Sequence, residues 1–176
     1  MRSQLLLFPL ALCAMANPVS AATIYLSGEE AQQLLFPGAT FTDESRRLTD
    51  SEMAAVGAAA RVEMNDARVM MWKVSTGGWF FVDQSPSGDT MYTYALALDA
   101  KGVVMGMEIM SCIEDFCRVR LPEWRAQFTG KKSGDLFGKD EIEIISGSTR
   151  SSVYITEGVR KTLATFDLLI RHPRRR

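Results

Sequence analysis

Between Arg68 and Met110 the sequence alternates in the two-residue rhythm of β-strands, interrupted at short intervals by turn residues. Four runs can be separated: Arg68 to Ser75, Trp79 to Gln84, Met91 to Leu98 and Val103 to Met110. The connections between them are Thr76-Gly77-Gly78, Ser85-Pro86-Ser87-Gly88-Asp89 and Asp99-Ala100-Lys101-Gly102. They are far too short for the crossovers that parallel strands need, so the runs are expected to pair antiparallel. In the third run Tyr92, Tyr94, Leu96 and Leu98 share one face, and Thr93, Ala95 and Ala97 the other. Side chains that small suit a face that a helix or a ligand approaches closely.

Helical patterns flank this block. Ser27-Gly28-Glu29-Glu30 opens a short one that runs through Leu34 and Leu35 and stops at Pro37-Gly38. Thr49 with Glu52 three residues on reads as a capping box, leading into an alanine-rich helix to about Ala60. Pro122-Glu123-Trp124 starts another, reaching Gln127-Phe128. The last runs from about Ser151 to Ile170, with Val153, Val159, Leu163, Phe166 and Ile170 at helical spacing. Strands gathered in the middle with helices at both ends predict an α+β domain. The sheet is expected to be antiparallel, with helices before it and a C-terminal helix after the Ser-Gly-Ser-Thr turn.

The first residues predict export. Arg2 precedes an apolar run from Leu5 to Ala16, Asn17-Pro18 breaks it, and Val19-Ser20-Ala21-Ala22 supplies small residues for cleavage. The run is too short to cross a bilayer, and residues 1–22 therefore read as a signal peptide that takes Cys13 with it. About 154 residues (176 less 22) remain, one domain over 23–170 with a basic tail at 171–176 that reads as a solvated end. No second stretch is long enough to span a membrane, so the remainder is expected to be soluble or peripheral in the periplasm or another extracytoplasmic space. Net charge of −1, or −2 without Arg2, offers no general attraction to nucleic acid.

Several chemistries are excluded by composition. The single histidine, His172, lies in the tail, so no histidine triad or histidine-rich metal site can be assembled. There is no P-loop and no strand-coupled dinucleotide fingerprint. One segment stands out: Glu143-Ile144-Ile145-Ser146-Gly147-Ser148-Thr149-Arg150, leading into the last helix. It is a tight turn of small, hydroxyl-bearing residues at a helix N-terminus, where backbone N–H groups and the helix dipole favour a phosphate. Gly147 lets the backbone approach closely. Read alone, the same segment also describes an ordinary Ser/Thr-rich helix cap, the commoner use of such residues.

Taken together, several segments resemble one family. They are Leu34-Leu35-Phe36-Pro37-Gly38-Ala39, Gly78-Trp79-Phe80-Phe81-Val82-Asp83, Tyr94-Ala95, Trp124-Arg125-Ala126-Gln127-Phe128-Thr129-Gly130-Lys131, Ile145-Ser146-Gly147-Ser148-Thr149 and Gly158-Val159-Arg160. In order and spacing they are similar to the FMN-binding domain family, above all its small exported members. That family includes the flavin subunits of sodium-pumping NADH:quinone oxidoreductases and of related ion-translocating electron-transport complexes. The resemblance implies an FMN whose phosphate is esterified to Thr149 by a separate Mg-dependent flavin transferase. It implies an electron carrier between a membrane or periplasmic redox partner and an acceptor outside the cytoplasm, rather than a self-contained enzyme. Ser146, Gly147, Ser148 and Thr149 are then expected to hold the phosphate. Ala95 and Trp124 are expected to flank the ring in the same cleft, with Lys131 offsetting phosphate charge.

The match has three departures. Ser148 stands where the family usually has alanine, and Glu143 where it usually has aspartate. Where relatives resemble Tyr-Arg-Glu-Ser-x-Gly, this chain has Ser111-Cys112-Ile113-Glu114-Asp115-Phe116-Cys117-Arg118. These departures motivate an alternative: a flavin-free binding or partner-interaction domain on the same fold. Once Cys13 is removed, Cys112 and Cys117 are the only thiols, and outside the cytoplasm a structural disulfide is the default. A redox-active pair is the other reading.

Overall fold

The computed structural model describes residues 22–87, 90–113, 117–136 and 141–173. Of the expected leader at 1–22, residues 1–21, with Cys13, lie outside the described residues, as do 174–176 of the basic tail. Over the described residues the chain is α+β: a curled antiparallel sheet with four α-helices. Its elements in order are β1 (Thr23–Ile24), α1 (Gly28–Leu35), β2 (Phe41–Asp43), β3 (Arg46–Arg47), α2 (Asp50–Ala60), β4 (Arg68–Val74), β5 (Gly78–Ser87), β6 (Thr90–Asp99), β7 (Val104–Cys112), α3 (Pro122–Ala126) and α4 (Thr149–Phe166). A 3-10 turn (Arg118–Arg120) precedes α3, and a π-helical turn (Asp167–Arg171) continues α4.

The four long strands lie where the alternation places them and form a meander, β7-β6-β5-β4, with every neighbouring pair antiparallel. The edges are finished by β1 against β7, β2 against β4, and β3 also on β4. Strand β5 runs further than expected, because Ser85, Pro86 and Ser87 continue the ladder opposite Tyr92, Met91 and Thr90. Helix α4 starts two residues before the expected Ser151.

The period-two pattern of β6 sorts its side chains onto two separate cores. Tyr92, Tyr94, Leu96 and Leu98 join Trp124, Phe128, Ile155, Val159, Leu163 and Phe166 on one face. Ala95 and Ala97 join Ala31, Phe36, Val74 and Phe80 on the other, beneath α1. A third cluster ties Val56 and Ala60 of α2 to Ala164 of α4. The order of layers is therefore α1, sheet, then α3 and α4, with α2 against α4. Burial of Ile155, Val159, Leu163 and Phe166, each 2% exposed or less, contributes roughly 1.5–3 kcal/mol per side chain. That stripe holds α4 on the sheet and fixes where its first turn points. Among the described residues no helix is long and apolar enough to cross a membrane.

Candidate functional site

The turn at 146–149 is shaped by local chemistry. Gly147 has φ +84°, a left-handed conformation that costs a side-chain-bearing residue, while its ideal Cβ position meets nothing within 4 Å. Conformation, not space, is what calls for glycine here. The Ser148 N–H donates to the Ile145 carbonyl at 3.0 Å, closing the turn. Ser151 Oγ and Ser152 Oγ both donate to the Ser148 carbonyl, at 2.9 and 2.8 Å, and Ser152 Oγ accepts from the Ile145 N–H at 3.3 Å. These two serines are buried and brace the turn from beneath. Ser146, Gly147, Thr149 and Arg150 face outward and are exposed, whereas Ser148 is buried.

The N-terminus of α4 is built unlike those of α1 and α2. Helix α1 has the Ser27–Glu30 capping box and α2 the Thr49–Glu52 box, each with acidic residues in the first turn. Helix α4 has no acidic residue in its first turn, carries Arg150 there, and its N-cap Ser148 makes no side-chain capping bond. The positive end of an 18-residue helix is thus uncompensated by carboxylates of its own first turn.

Three further side chains fix the approach to the turn. Arg118 Nη1 donates to the Ser146 carbonyl at 3.1 Å. Trp124 Nε1 donates to the Glu143 carbonyl at 2.7 Å, and the Glu143 N–H donates to Gln127 Oε1 at 2.9 Å. Arg125 in turn anchors α3 to β7 through Glu108 and the Met107 carbonyl. Trp124 and Phe128 meet edge to face with centroids 5.1 Å apart.

The expected site residues fall in four places. Ser146, Gly147, Ser148 and Thr149 form one surface turn. Trp124 lies on the same side of the sheet, but it is 2% exposed and serves as a pin under the 141–145 approach rather than as an open wall. Lys131 Nζ is 2.8 Å from Glu141 Oε2, so its ammonium is matched by that carboxylate. Ala95 is not brought to the turn at all. It is fully buried in the core beneath α1, across the sheet from Trp124, because the period of β6 puts the small residues opposite the large ones. The close approach that its size permits is made by a helix. The clefts found elsewhere measure about 590 Å³ between α2 and Leu168–Leu169, about 220 Å³ beside Ser85 and Lys161, and about 210 Å³ beside Gly106 and Arg125. None of these three is lined by residues of the turn.

Two arrangements escaped the sequence reading. One is Arg118, whose contact with Ser146 spans 28 positions. The other is a polar chain that runs from the buried Tyr94 to the partly exposed Lys161: the Tyr94 hydroxyl donates to Asp83 Oδ2 at 2.7 Å, and Lys161 Nζ donates to Asp83 Oδ1 at 2.9 Å. Burial, then the neighbouring Asp83 carboxylate, holds the Tyr94 phenol well above its ordinary pKa, so it stays a neutral donor. The alternation of β6 placed Tyr94 in the core; nothing local announced its partners.

Cys112 and Cys117 are joined as a disulfide with Cα atoms 6.2 Å apart, within the span such a bridge requires. Residues 114–116 of the departing segment lie outside the described residues. Among the described residues no group of three or more His, Cys, Asp or Glu side chains is arranged to hold a metal. Comparison with known proteins adds no identity, since no family model and no curated protein matches the chain.

Proposed function

We propose that the chain is an exported FMN-binding electron carrier whose flavin is esterified through its phosphate to the Thr149 hydroxyl. The observation that carries this reading is the start of α4. An exposed threonine occupies the first helical position, after a left-handed glycine, on a helix whose first turn holds an arginine and no acid. A phosphodianion is the kind of group that such a terminus accommodates. The residues fit the group: Thr149 offers the hydroxyl, Ser146 a second one nearby, and Arg118 and Arg150 the positive charge. Bound there, the flavin supplies one- and two-electron transfer. The protein's part is to present the acceptor hydroxyl to a flavin transferase and to hold the turn rigid through Ser151, Ser152 and Trp124.

The placement of Ala95 changes one element of the expectation. Any ring tethered at Thr149 lies on the α3–α4 side of the sheet, where Leu121 and Ile144 are exposed apolar neighbours of the anchored segments.

Co-production with a Mg-dependent flavin transferase tests the reading by intact mass. The protein is expected to gain one FMN less one water, Thr149→Ala to abolish the gain, and Ser146→Ala to retain some of it. Unchanged labelling of the Thr149 variant relocates the acceptor. An unmodified wild-type protein defeats the ester linkage, and a native protein that also lacks flavin absorbance defeats the flavin reading and leaves the partner-interaction domain in its place.

A further inference from the structure

The two sulfurs of the disulfide occupy unlike places. Cys112 ends β7, pairs with Thr23 of β1, and is fully buried. Cys117 is only half-buried, at the start of the 3-10 turn, and borders the same core as Ile145. The next residue along is Arg118, whose guanidinium holds the Ser146 carbonyl. A continuous path therefore runs from the sheet through the sulfur bridge to the 146–149 turn.

We propose that Cys117 is a thiol–disulfide exchange site for a dithiol partner, and that the state of the bridge sets how firmly Arg118 holds the turn. A thiolate attacks the more accessible sulfur, and Cys117 is the partly exposed member of the pair, whereas Cys112 is fully buried. The Cys112–Cys117 bond breaks, Cys112 leaves as a thiolate and takes up a proton, and a mixed disulfide forms on Cys117. The partner's second thiol then closes the partner's own disulfide and releases Cys117 as a thiol. Two electrons and two protons have moved from the dithiol to the cysteine pair.

The consequence is local. Val119 is fully buried and the Arg120 guanidinium lies 3.7 Å from the centre of the Tyr25 ring, so the rest of the 3-10 turn keeps its anchors. Cys117 loses its covalent tie to β7. Arg118 is then held by the turn's own bonds, from the Arg120 N–H to the Cys117 carbonyl and from the Leu121 N–H to the Arg118 carbonyl, both at 3.0 Å, and its grip on the Ser146 carbonyl weakens as that end of the turn gains freedom. The loss of one such hydrogen bond at this exposed site raises a local opening equilibrium by roughly fivefold. The proposal concerns the turn assigned above to flavin but does not depend on a flavin being there.

Hydrogen exchange followed by mass spectrometry tests it, on the full mature protein without flavin, oxidised and after treatment with dithiothreitol. Thiol alkylation counts the cysteines released under native conditions. Exchange in peptides covering 144–152 is expected to rise about fivefold on reduction, while β5, β6 and residues 119–128 stay protected. The Cys112→Ala/Cys117→Ala protein should match the reduced form. Arg118→Ala, with its disulfide intact, should loosen 144–152 alone. A bridge that dithiothreitol leaves closed in the native protein overturns the exchange site. Unchanged protection at 144–152 on reduction, or in Arg118→Ala, overturns the link to the turn. So does loosening that spreads equally through β5 and β6, because the bridge would then only support the fold.

Discussion

Gly158 is the residue whose replacement tests the packing of α4 most sharply. A Cβ built there stands 2.6 Å from Tyr94 Oη, 3.1 Å from Cε1 and 3.2 Å from Cζ. The first distance is well short of any ordinary contact, so either the helix or the phenol must move. The phenol is badly placed to do so: its ring is fully buried, its hydroxyl is held by Asp83, and Asp83 is held by Lys161. Alanine for glycine in a helix interior favours folding by about 1 kcal/mol. Against this stand roughly 1–3 kcal/mol for overpacking and about 1.5–3 kcal/mol if the hydrogen bond to the carboxylate is broken. Gly158→Ala is therefore expected to destabilise by about 2 kcal/mol net, read from the denaturant midpoint at unchanged slope. The decisive measurement is the same substitution in a Tyr94→Phe background. There the 2.6 Å contact is gone and only the two ring contacts remain. The cost should fall by about 1 kcal/mol or more, a coupling that a double-mutant cycle resolves. Equal costs in the two backgrounds, or a stabilising Gly158→Ala in the wild type, would refute the argument that Tyr94 requires the glycine.

Two other stability measurements follow. Cys112→Ala/Cys117→Ala opens a loop of six residues, counting both cysteines, and chain entropy puts the loss at about 2 kcal/mol in chemical unfolding; a loss near zero would mean that the reduced chain stays as constrained as the bridged one. Glu52 is held at a pKa of about 2, against an ordinary 4.5, chiefly by the Thr49 N–H and then by Arg46. Because the folded-state value is the lower one, this carboxylate contributes fully above about pH 4.5, and the contribution is lost as pH falls through about 2. Melting curves of Glu52→Gln should accordingly show less acid sensitivity than the wild type between those limits, and parallel curves would show that the carboxylate contributes nothing there.

How much of this was legible depended on whether the signal was local. The alternation of Tyr92, Tyr94, Leu96 and Leu98 against Ala95 and Ala97 defined strand and faces, and the two cores keep that division. Thr49 and Glu52 announced a capping box that the structure contains. Strands β1, β2 and β3 were not legible, because two or three residues carry no period and exist only through their neighbours on β7 and β4. The size of Ala95 announced a close approach but not what approaches. That is decided by α1, more than fifty residues earlier in the chain. Trp124 was legible as a helix-start aromatic, yet its role as a pin depends on the Glu143 carbonyl that its indole N–H finds. Arg118 sat in the segment that departs from the family pattern, and only tertiary structure carries its guanidinium to Ser146.

The turn before α4 is best understood by what its serines do not do. A hydroxyl at a helix start ordinarily accepts from an N–H of the first turn, which is worth about 1 kcal/mol. The side chains of Ser27 and Thr49 do this for α1 and α2, each with a glutamate returning the bond. In α4 the hydroxyls of Ser151 and Ser152 instead donate back to the Ser148 carbonyl, and Ser148 itself makes no side-chain capping bond. Helix α4 tolerates the loss because Ile155, Val159, Leu163 and Phe166 anchor it along its length, so its stability does not hinge on its first turn. The hydroxyls brace the turn's inner side, and Thr149 is exposed beside a positive helix end with no carboxylate in its first turn. The position three residues after the cap, which holds glutamate in α1 and α2, is Ser151 here. An exposed threonine at a helix start without carboxylates in its first turn is the physical ground on which the flavin proposal stands.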